Sequence, residues 1–278
     1  MACIEPPVPV VIVEASQLKE RVLVIGDVHG CLDELKALLD QSNYADGRTT
    51  VVLVGDICNK GPFNAETVSF CRLNKFLCVR GNHDHAALKV SCAQPFSRLI
   101  QCYNCVYQAY YRMAPKYSNE LPDSWKWVAK LSKADVDWLQ QLPYALVCPF
   151  GVVVHAGLHP GVLSIHQQDP LAMMHVRNIR TSDGHWLEDD GNDAQDVAAW
   201  APMWSGPQRV FFGHDAKRRL QRCKWALGLD TACVYGFQLT AAEVAGGTGA
   251  HLAFDEVGAE VKLISVNAMA RYCASKSS

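Results

Sequence analysis

A chain of 278 residues, 49% hydrophobic and 19% charged, can bury a substantial core and falls within the range of one large domain. Its formal net charge of −2 supplies no overall basic field, which argues against long-range attraction to nucleic acid or anionic membrane while leaving a local basic site open. The twelve cysteines are irregularly spaced and several lie inside apolar strands, so reduced, buried thiols are expected and not a disulfide framework. No apolar run approaches the ~20 residues of a membrane span, and the acidic, Pro-containing start Met1 to Ala15 reads as neither a signal nor a transit peptide. The expectation is an intracellular, cytoplasmic protein with no membrane partner and no extended nucleic-acid surface.

Residues 1–20, with Pro6, Pro7 and Pro9, read as an arm leading to the first core strand. Val22 to Ile25 is continuously apolar, as expected when both faces of a sheet are covered, and it stops at Gly26-Asp27-Val28-His29-Gly30. Leu32, Leu35, Leu38 and Leu39 then recur at helical spacing. A strand, a tight turn and a helix follow one another there, and Asp27 and His29 can converge on one point from the strand's carboxyl end. The pattern repeats. Val51 to Val54 ends in Gly55-Asp56, Asn64 to Leu73 has helical spacing, and Phe76 to Val79 ends in Arg80-Gly81-Asn82-His83-Asp84. Open α/β sheets place their sites outside the strands' carboxyl ends, so these three ends are predicted to line one crevice.

From about 86 to 142 the chain is rich in Tyr and Trp and interrupted by Pro95, Pro115 and Pro122, and reads as a helical insertion. Tyr107, Tyr110, Tyr111, Trp125 and Trp127 are taken as its core in preference to a base-stacking platform. Cys102-Tyr-Asn-Cys105 lacks a second pair at zinc-finger spacing and is read as structural. Ser132-Lys-Ala-Asp135 starts a helix with Val136, Leu139 and Leu142 on one face. Ala145 to Val147 and Val152 to Val154 form a strand pair, the second running into His155-Ala156-Gly157. Residues 161–207 look loop-like, with a solvated acidic patch at Glu188 to Asp196 and two notable cations, Arg177 and Arg180. Val210 to Phe212 ends in Gly213-His214-Asp215, and the tail (Trp225 to Asp230, Phe237 to Thr240, His251 to Phe254, Val261 to Val266) alternates as antiparallel strands do.

Asp27, His29, Asp56, Asn82, His83, His155 and His214 therefore form a convergent polar set drawn from five strand ends. Turn chemistry accounts for aspartate and asparagine beside glycine but does not call for histidine, so a site for divalent metal explains the excess.

Gly-Asp-x-His-Gly, Gly-Asp-x-x-x-Lys-Gly, Arg-Gly-Asn-His-Asp, His-Ala-Gly and Gly-His, in this order from about Arg21 to Val266, resemble the phosphoprotein-phosphatase superfamily of calcineurin-like metallophosphoesterases. The resemblance implies an α/β fold, a β-sandwich flanked by helices, here a single domain over 21–278. It implies two divalent metal ions, Mn, Fe, Zn or Co. Asp27 and His29 resemble ligands of the first metal, Asn82, His155 and His214 ligands of the second, Asp56 the bridge and His83 the general acid. Lys60, Arg80, Arg177 and Arg180 are candidates to bind phosphate oxygens, with Lys60 placed by the second motif. The segment Gly228 to Gly236 followed by Leu239-Thr240-Ala241 resembles the diadenosine tetraphosphatases, and Asn59-Lys60-Gly61, where protein phosphatases carry Asp-Arg-Gly, is similar to the ApaH-like phosphatases. A phosphoanhydride substrate follows as the leading expectation: diadenosine tetraphosphate, a related nucleoside polyphosphate, capped RNA or polyphosphate. Serine/threonine protein phosphatase is the alternative, and a non-catalytic module on the same fold a third reading.

Overall fold

The computed structural model of the chain describes residues 4–92, 122–188, 196–245, 254 and 261–274. In chain order, β1 (Val10–Ile12) precedes β2 (Arg21–Ile25), α1 (Leu32–Gln41), β3 (Thr49–Leu53), α2 (Asn64–Leu73), β4 (Leu77–Cys78) and α3 (Asn82–Cys92). Strands β5 (Ala145–Cys148), β6 (Gly151–Val154), β7 (Asn178–Arg180), β8 (Trp186–Leu187), β9 (Val197–Ala199) and β10 (Val210–Phe212) follow. The chain continues through β11 (Gln221–Arg222), β12 (Ala226–Gly228), β13 (Gln238–Ala245) and β14 (Lys262–Asn267). One sheet has the order β1-β5-β6-β10-β12-β11, a second β14-β13-β2-β3-β4, and a small third β8-β7-β9.

Strand alternation builds the layers. Val22 and Val24 of β2, together with Val52 and Val54 at β3, point into the core between the two large sheets, where they meet Val153 of β6 and Phe211 of β10. The residues between them, Leu23, Ile25, Val51 and Leu53, point the other way, under the leucines of α1 and the apolar faces of α2 and α3. On the outer face of the other sheet, Val152, Val154, Val210 and Phe212 pack with Trp200, Met173 and Met174. Both faces of each central strand are thus buried, which is why β2 and β3 read as unbroken apolar runs. A fully buried valine or leucine contributes roughly 1.5–3 kcal/mol, so these strands hold their carboxyl ends in fixed relation. An α/β sandwich flanked by helices, as expected, is therefore the observed fold.

Three expectations are corrected. The stretch read as an arm enters the first sheet, β1 pairing in parallel with β5. Residues 161–207 are not a loop: they hold the helix Pro170–His175, strands β7 to β9 and the helix Trp200–Met203. Strands of two or three residues carry too little alternation to be seen in a sequence. In the tail, β13 is antiparallel to β2 and β14 and β12 to β11, but β12 runs parallel to its other neighbour, β10. Of the aromatic insertion, Trp125 is buried in the core beneath the helices and stacks on Trp127 at 6.2 Å between ring centres. Tyr107, Tyr110, Tyr111 and the Cys102 to Cys105 pair lie outside the described residues, as does most of the acidic patch and of the stretch His251 to Phe254. The helix Lys133–Gln141 starts as its sequence indicates, Ser132 accepting from Asp135 N and Asp135 accepting from Ser132 N. Among the described residues no helix is long and apolar enough to cross a membrane.

Candidate metal centre

The carboxyl ends of β2, β3, β4, β6 and β10 converge. Two groups of buried ligand-type side chains result, His29 with Asp56 and His83, and Asp27 with Asp56 and His155, the ligand atoms in each lying within 4.8 Å of one another. Asp56 belongs to both. Its Oδ2 is 3.5 Å from His29 Nε2 and its Oδ1 3.5 Å from His155 Nε2.

Backbone groups set the orientation of each side chain. His29 Nδ1 donates to Cys58 O at 3.2 Å and His155 Nδ1 to Val54 O at 2.9 Å, so both imidazoles turn their Nε2 lone pairs inward. Burial, the largest influence, holds the imidazoles of His29, His83 and His214 well below their usual range and brings His155 down to about 3. Neutral imidazoles are the form that binds metal. Burial also raises Asp56 to about 6, against the lowering effect of the Lys60 ammonium, and raises Asp27, with Asp230 and Asp56 adding to the effect.

The carboxylates rest on main chain. Asp27 accepts His214 N at 3.1 Å on both oxygens, and Asp56 Oδ1 accepts His83 N at 2.8 Å. The glycines of the two motifs make this possible: a Cβ on Gly213 would lie 1.9 Å from Asp27 Oδ1, and one on Gly81 would lie 2.2 Å from Asp56 Oδ1. Gly213→Ala is accordingly expected to cost about 1–3 kcal/mol of stability through overpacking, measured by denaturant unfolding. An unchanged midpoint would show that the carboxylate moves aside freely. Asp84, fully buried, ties the loops together by accepting from the backbone N–H of Asp56 (2.8 Å), Ile57 (3.1 Å) and Gly81 (2.9 Å). His29, Asp56, Asn59, Lys60 and His214 all have left-handed backbone, with φ between 49° and 74°. Such strain in non-glycine residues persists where surrounding contacts over-determine it, and it gathers at functional sites.

A cation fits this donor set. His155 Nε2 presents its lone pair to Asn82 Oδ1 at 2.9 Å with Asp56 Oδ1 beside it, three acceptors facing one point. His214 Nε2 is buried with no hydrogen-bond partner among the described residues, although its ring lies 5.0 Å from that of His155. Lone pairs gathered in this way repel unless a positive ion lies among them.

Of the four expected phosphate ligands, Lys60 is in the cluster, its Nζ 2.9 Å from His29 Nε2 and 5.5 Å from the centre of the Tyr235 ring. Arg177 is beside it, donating to His214 O at 3.2 Å and lying 4.0 Å from Asp215. Arg180, its side chain exposed, instead pairs with Asp183 at 2.8 Å on the third sheet. Arg80 is a correction: fully buried, it points away from the cluster and donates to the carbonyls of Ile4 (2.5 Å), Leu139 (3.3 Å) and Gln140 (2.7 Å). The end of the helix Lys133–Gln141 supplies acceptors to its Nη2 and the carbonyl of Ile4 one to its Nη1.

His83 has its partner in Asn59, whose Nδ2 is 2.8 Å from His83 Nδ1. Asn59 Oδ1 accepts from Lys60 N at 3.0 Å, which fixes the amide with its NH2 toward the ring. Nδ1 is then an acceptor and the ring proton sits on Nε2. Sequence reasoning missed Asp230, buried after β12, whose charge acts on Asp27, Asp56 and Lys60 alike. It closes a sixth strand in the same pattern as the others.

A family model, calcineurin-like phosphoesterase, matches residues 20–230. The chain belongs to that family. Among curated relatives of this calcineurin-like phosphoesterase is a symmetrical bis(5'-nucleosyl)-tetraphosphatase of Neisseria gonorrhoeae, 33% identical over 49% of this chain and 43% of the relative. The chain thus spans under half the length of that relative. The Pectobacterium atrosepticum protein of the same name is 30% identical over 76% of the chain and 68% of its own length, and a zinc-dependent endopolyphosphatase of Saccharomyces cerevisiae is 24% identical over 82% and 77%. Among solved structures, one classed as a diadenosine tetraphosphatase superposes with TM-score 0.70 at 29% identity, covering 94% of this chain and 98% of that one. A serine/threonine phosphatase from S. cerevisiae reaches TM-score 0.52 at 16% identity over 96% and 85%, a likeness of fold alone.

Proposed function

We propose that the chain is a phosphohydrolase that uses two divalent cations to cleave phosphoanhydrides, with a nucleoside polyphosphate such as a dinucleoside tetraphosphate as substrate. The observation that carries the reading is Asp56, whose two oxygens each lie 3.5 Å from a different inward-facing imidazole, Oδ2 from His29 Nε2 and Oδ1 from His155 Nε2. Asp27, His29 and Asp56 would hold one cation, and Asp56, Asn82, His155 and His214 the other. Mixed oxygen and imidazole donors suit manganese, iron, zinc or cobalt. When bound, such a pair supplies a water acidic enough to ionise near neutral pH and positive charge for phosphoryl oxygens.

The chain's own groups do the rest. Lys60 and Arg177 bring positive charge to the cluster from two sides, where the oxygens of a polyphosphate accumulate negative charge. Burial keeps His83 neutral and Asn59 sets its proton on Nε2, which makes that nitrogen a donor and unsuited to ligate metal. A neutral imidazole is a weak acid. It serves a leaving phosphate, already a stable anion, better than a leaving alkoxide.

The polyphosphate reading also has the names of the relatives behind it, tetraphosphatases and an endopolyphosphatase. A serine/threonine phosphatase reading has only the fold. The deciding experiment mixes diadenosine tetraphosphate, capped RNA, tripolyphosphate and a phosphoserine peptide with the purified chain and Mn2+, and identifies the products. Preferential release of phosphate from the peptide would reverse the assignment, and no turnover with any cation would end it.

Lys60→Ala is expected to lower turnover by about 10²-fold, the loss of one charged group that acts on the developing charge, with both cations still bound. Lys60→Arg should restore part of it, a planar fork replacing a point charge. Wild-type kinetics in Lys60→Ala would show that the ammonium only balances Asp27, Asp56 and Asp230.

A further inference from the structure

A second set of ligand-type side chains meets on the helical side of β2, outside the cluster described above. The sulfurs of Cys31 and Cys233 and a carboxylate oxygen of Glu34 lie within 4.8 Å of one another. All three residues are at least 99% buried. Neither thiol is in a disulfide. Cys31 is the N-cap of α1 and makes no capping hydrogen bond with its side chain, so its sulfur sits where the free N–H groups of a ten-residue helix favour negative charge. Glu34 Oε1 accepts from Met269 N and from the Tyr272 hydroxyl, both at 2.9 Å. Glu34 Oε2 is buried with no hydrogen-bond partner among the described residues.

Apolar packing explains two buried thiols, since cysteine behaves as a small hydrophobe in a core. It does not explain the carboxylate oxygen. A buried acceptor with no donor costs about 1–3 kcal/mol, and more when charged. A disulfide between the two sulfurs would leave that oxygen as it is.

We propose that Cys31, Glu34 and Cys233 form a third cation site, selective for a thiophilic divalent ion of the Zn2+ or Cd2+ kind. Two thiolates and a carboxylate surround a dication with three anionic ligands, and the two thiol protons leave to solvent as it binds. Sulfur donors favour zinc or cadmium over magnesium, calcium or manganese, whereas the strand-end cluster offers only nitrogen and oxygen. The two centres therefore differ in kind. The ion would join the start of α1, two residues after His29, to the turn after β12, three residues after Asp230. It would brace two walls of the strand-end cluster without entering it.

The test is a Cd2+ titration of the reduced, metal-free full chain in excess Mg2+, read in the ultraviolet thiolate-to-cadmium absorption, to which nitrogen and oxygen sites contribute nothing. The expected result is one equivalent of thiolate-bound Cd2+ per chain, lost in Cys31→Ala and in Cys233→Ala. Cys102→Ala/Cys105→Ala should retain it. Glu34→Gln should weaken binding at least about tenfold, as loss of a metal-supporting carboxylate does elsewhere. Should the cysteine variants not fold, alkylation of wild type in mild denaturant, mapped by mass, gives the answer: Cd2+ should protect Cys31 and Cys233. The proposal is overturned by the absence of the absorption in wild type, by its persistence in both folded cysteine variants, by equal alkylation with and without Cd2+, or by a Cys31 to Cys233 disulfide in the intact mass.

Discussion

Asp56→Asn is expected to lower turnover by about 10³-fold or more, a loss of at least ~4 kcal/mol of transition-state stabilisation, while leaving the fold in place. The side-chain shape is retained, and an asparagine carbonyl can still accept from His83 N as Asp56 Oδ1 does at 2.8 Å. Only the charge is lost. That charge lies between two groups of donors, and without it two dications a few ångströms apart repel with nothing of opposite sign between them. Metal analysis of the purified variant should find fewer than two cations per chain, and circular dichroism should match wild type. Two bound cations with turnover within tenfold of wild type would remove Asp56 from the role of bridge.

The second large effect depends on the leaving group. His83→Ala should reduce hydrolysis of an alkyl phosphate ester by about 10²–10⁴-fold, the range for loss of general acid catalysis, because an alkoxide must be protonated as it leaves. Hydrolysis of diadenosine tetraphosphate should fall far less, since its leaving phosphate needs no proton. Asn59→Asp moves the ratio the other way: a carboxylate at 2.8 Å from His83 Nδ1 favours the imidazolium, a stronger acid than the neutral ring that the amide supports. Rates of the three proteins on both substrates across pH decide the matter. Equal losses on both substrates in His83→Ala would make this histidine a structural or ligating residue, not an acid.

The strand ends were legible because each couples an apolar run to Asp, Asn or His close to a glycine, and packing on both faces of β2 and β3 leaves no other register. The reason for the glycines was not legible. It lies in carboxylates that occupy the Cβ positions of Gly213 and Gly81, a contact between segments far apart in sequence. Arg80 was misread because adjacency to a ligand motif says nothing of side-chain direction, and its direction is set by carbonyls of Ile4, Leu139 and Gln140. Arg177 and Arg180 could be separated only once β7 and its neighbours were seen, since a three-residue strand has no detectable period. Asp230 ends a strand in the same way as Asp27 but without a histidine near it, and histidine was the feature that raised the other ends above ordinary turns.

The order of strands in the second sheet bears on how the chain is made. β2 lies between β3 and β13, and β13 comes more than two hundred residues later in synthesis. While a ribosome extends the chain through the intervening segments, the β2 backbone from Arg21 to Ile25 has one edge paired and one edge bare. A bare apolar edge invites pairing with another nascent chain. Translation that stalls before Gln238 would release a polypeptide bearing nearly every residue of the strand-end cluster and an unsealed sheet, a substrate for chaperones and proteases before it is anything else.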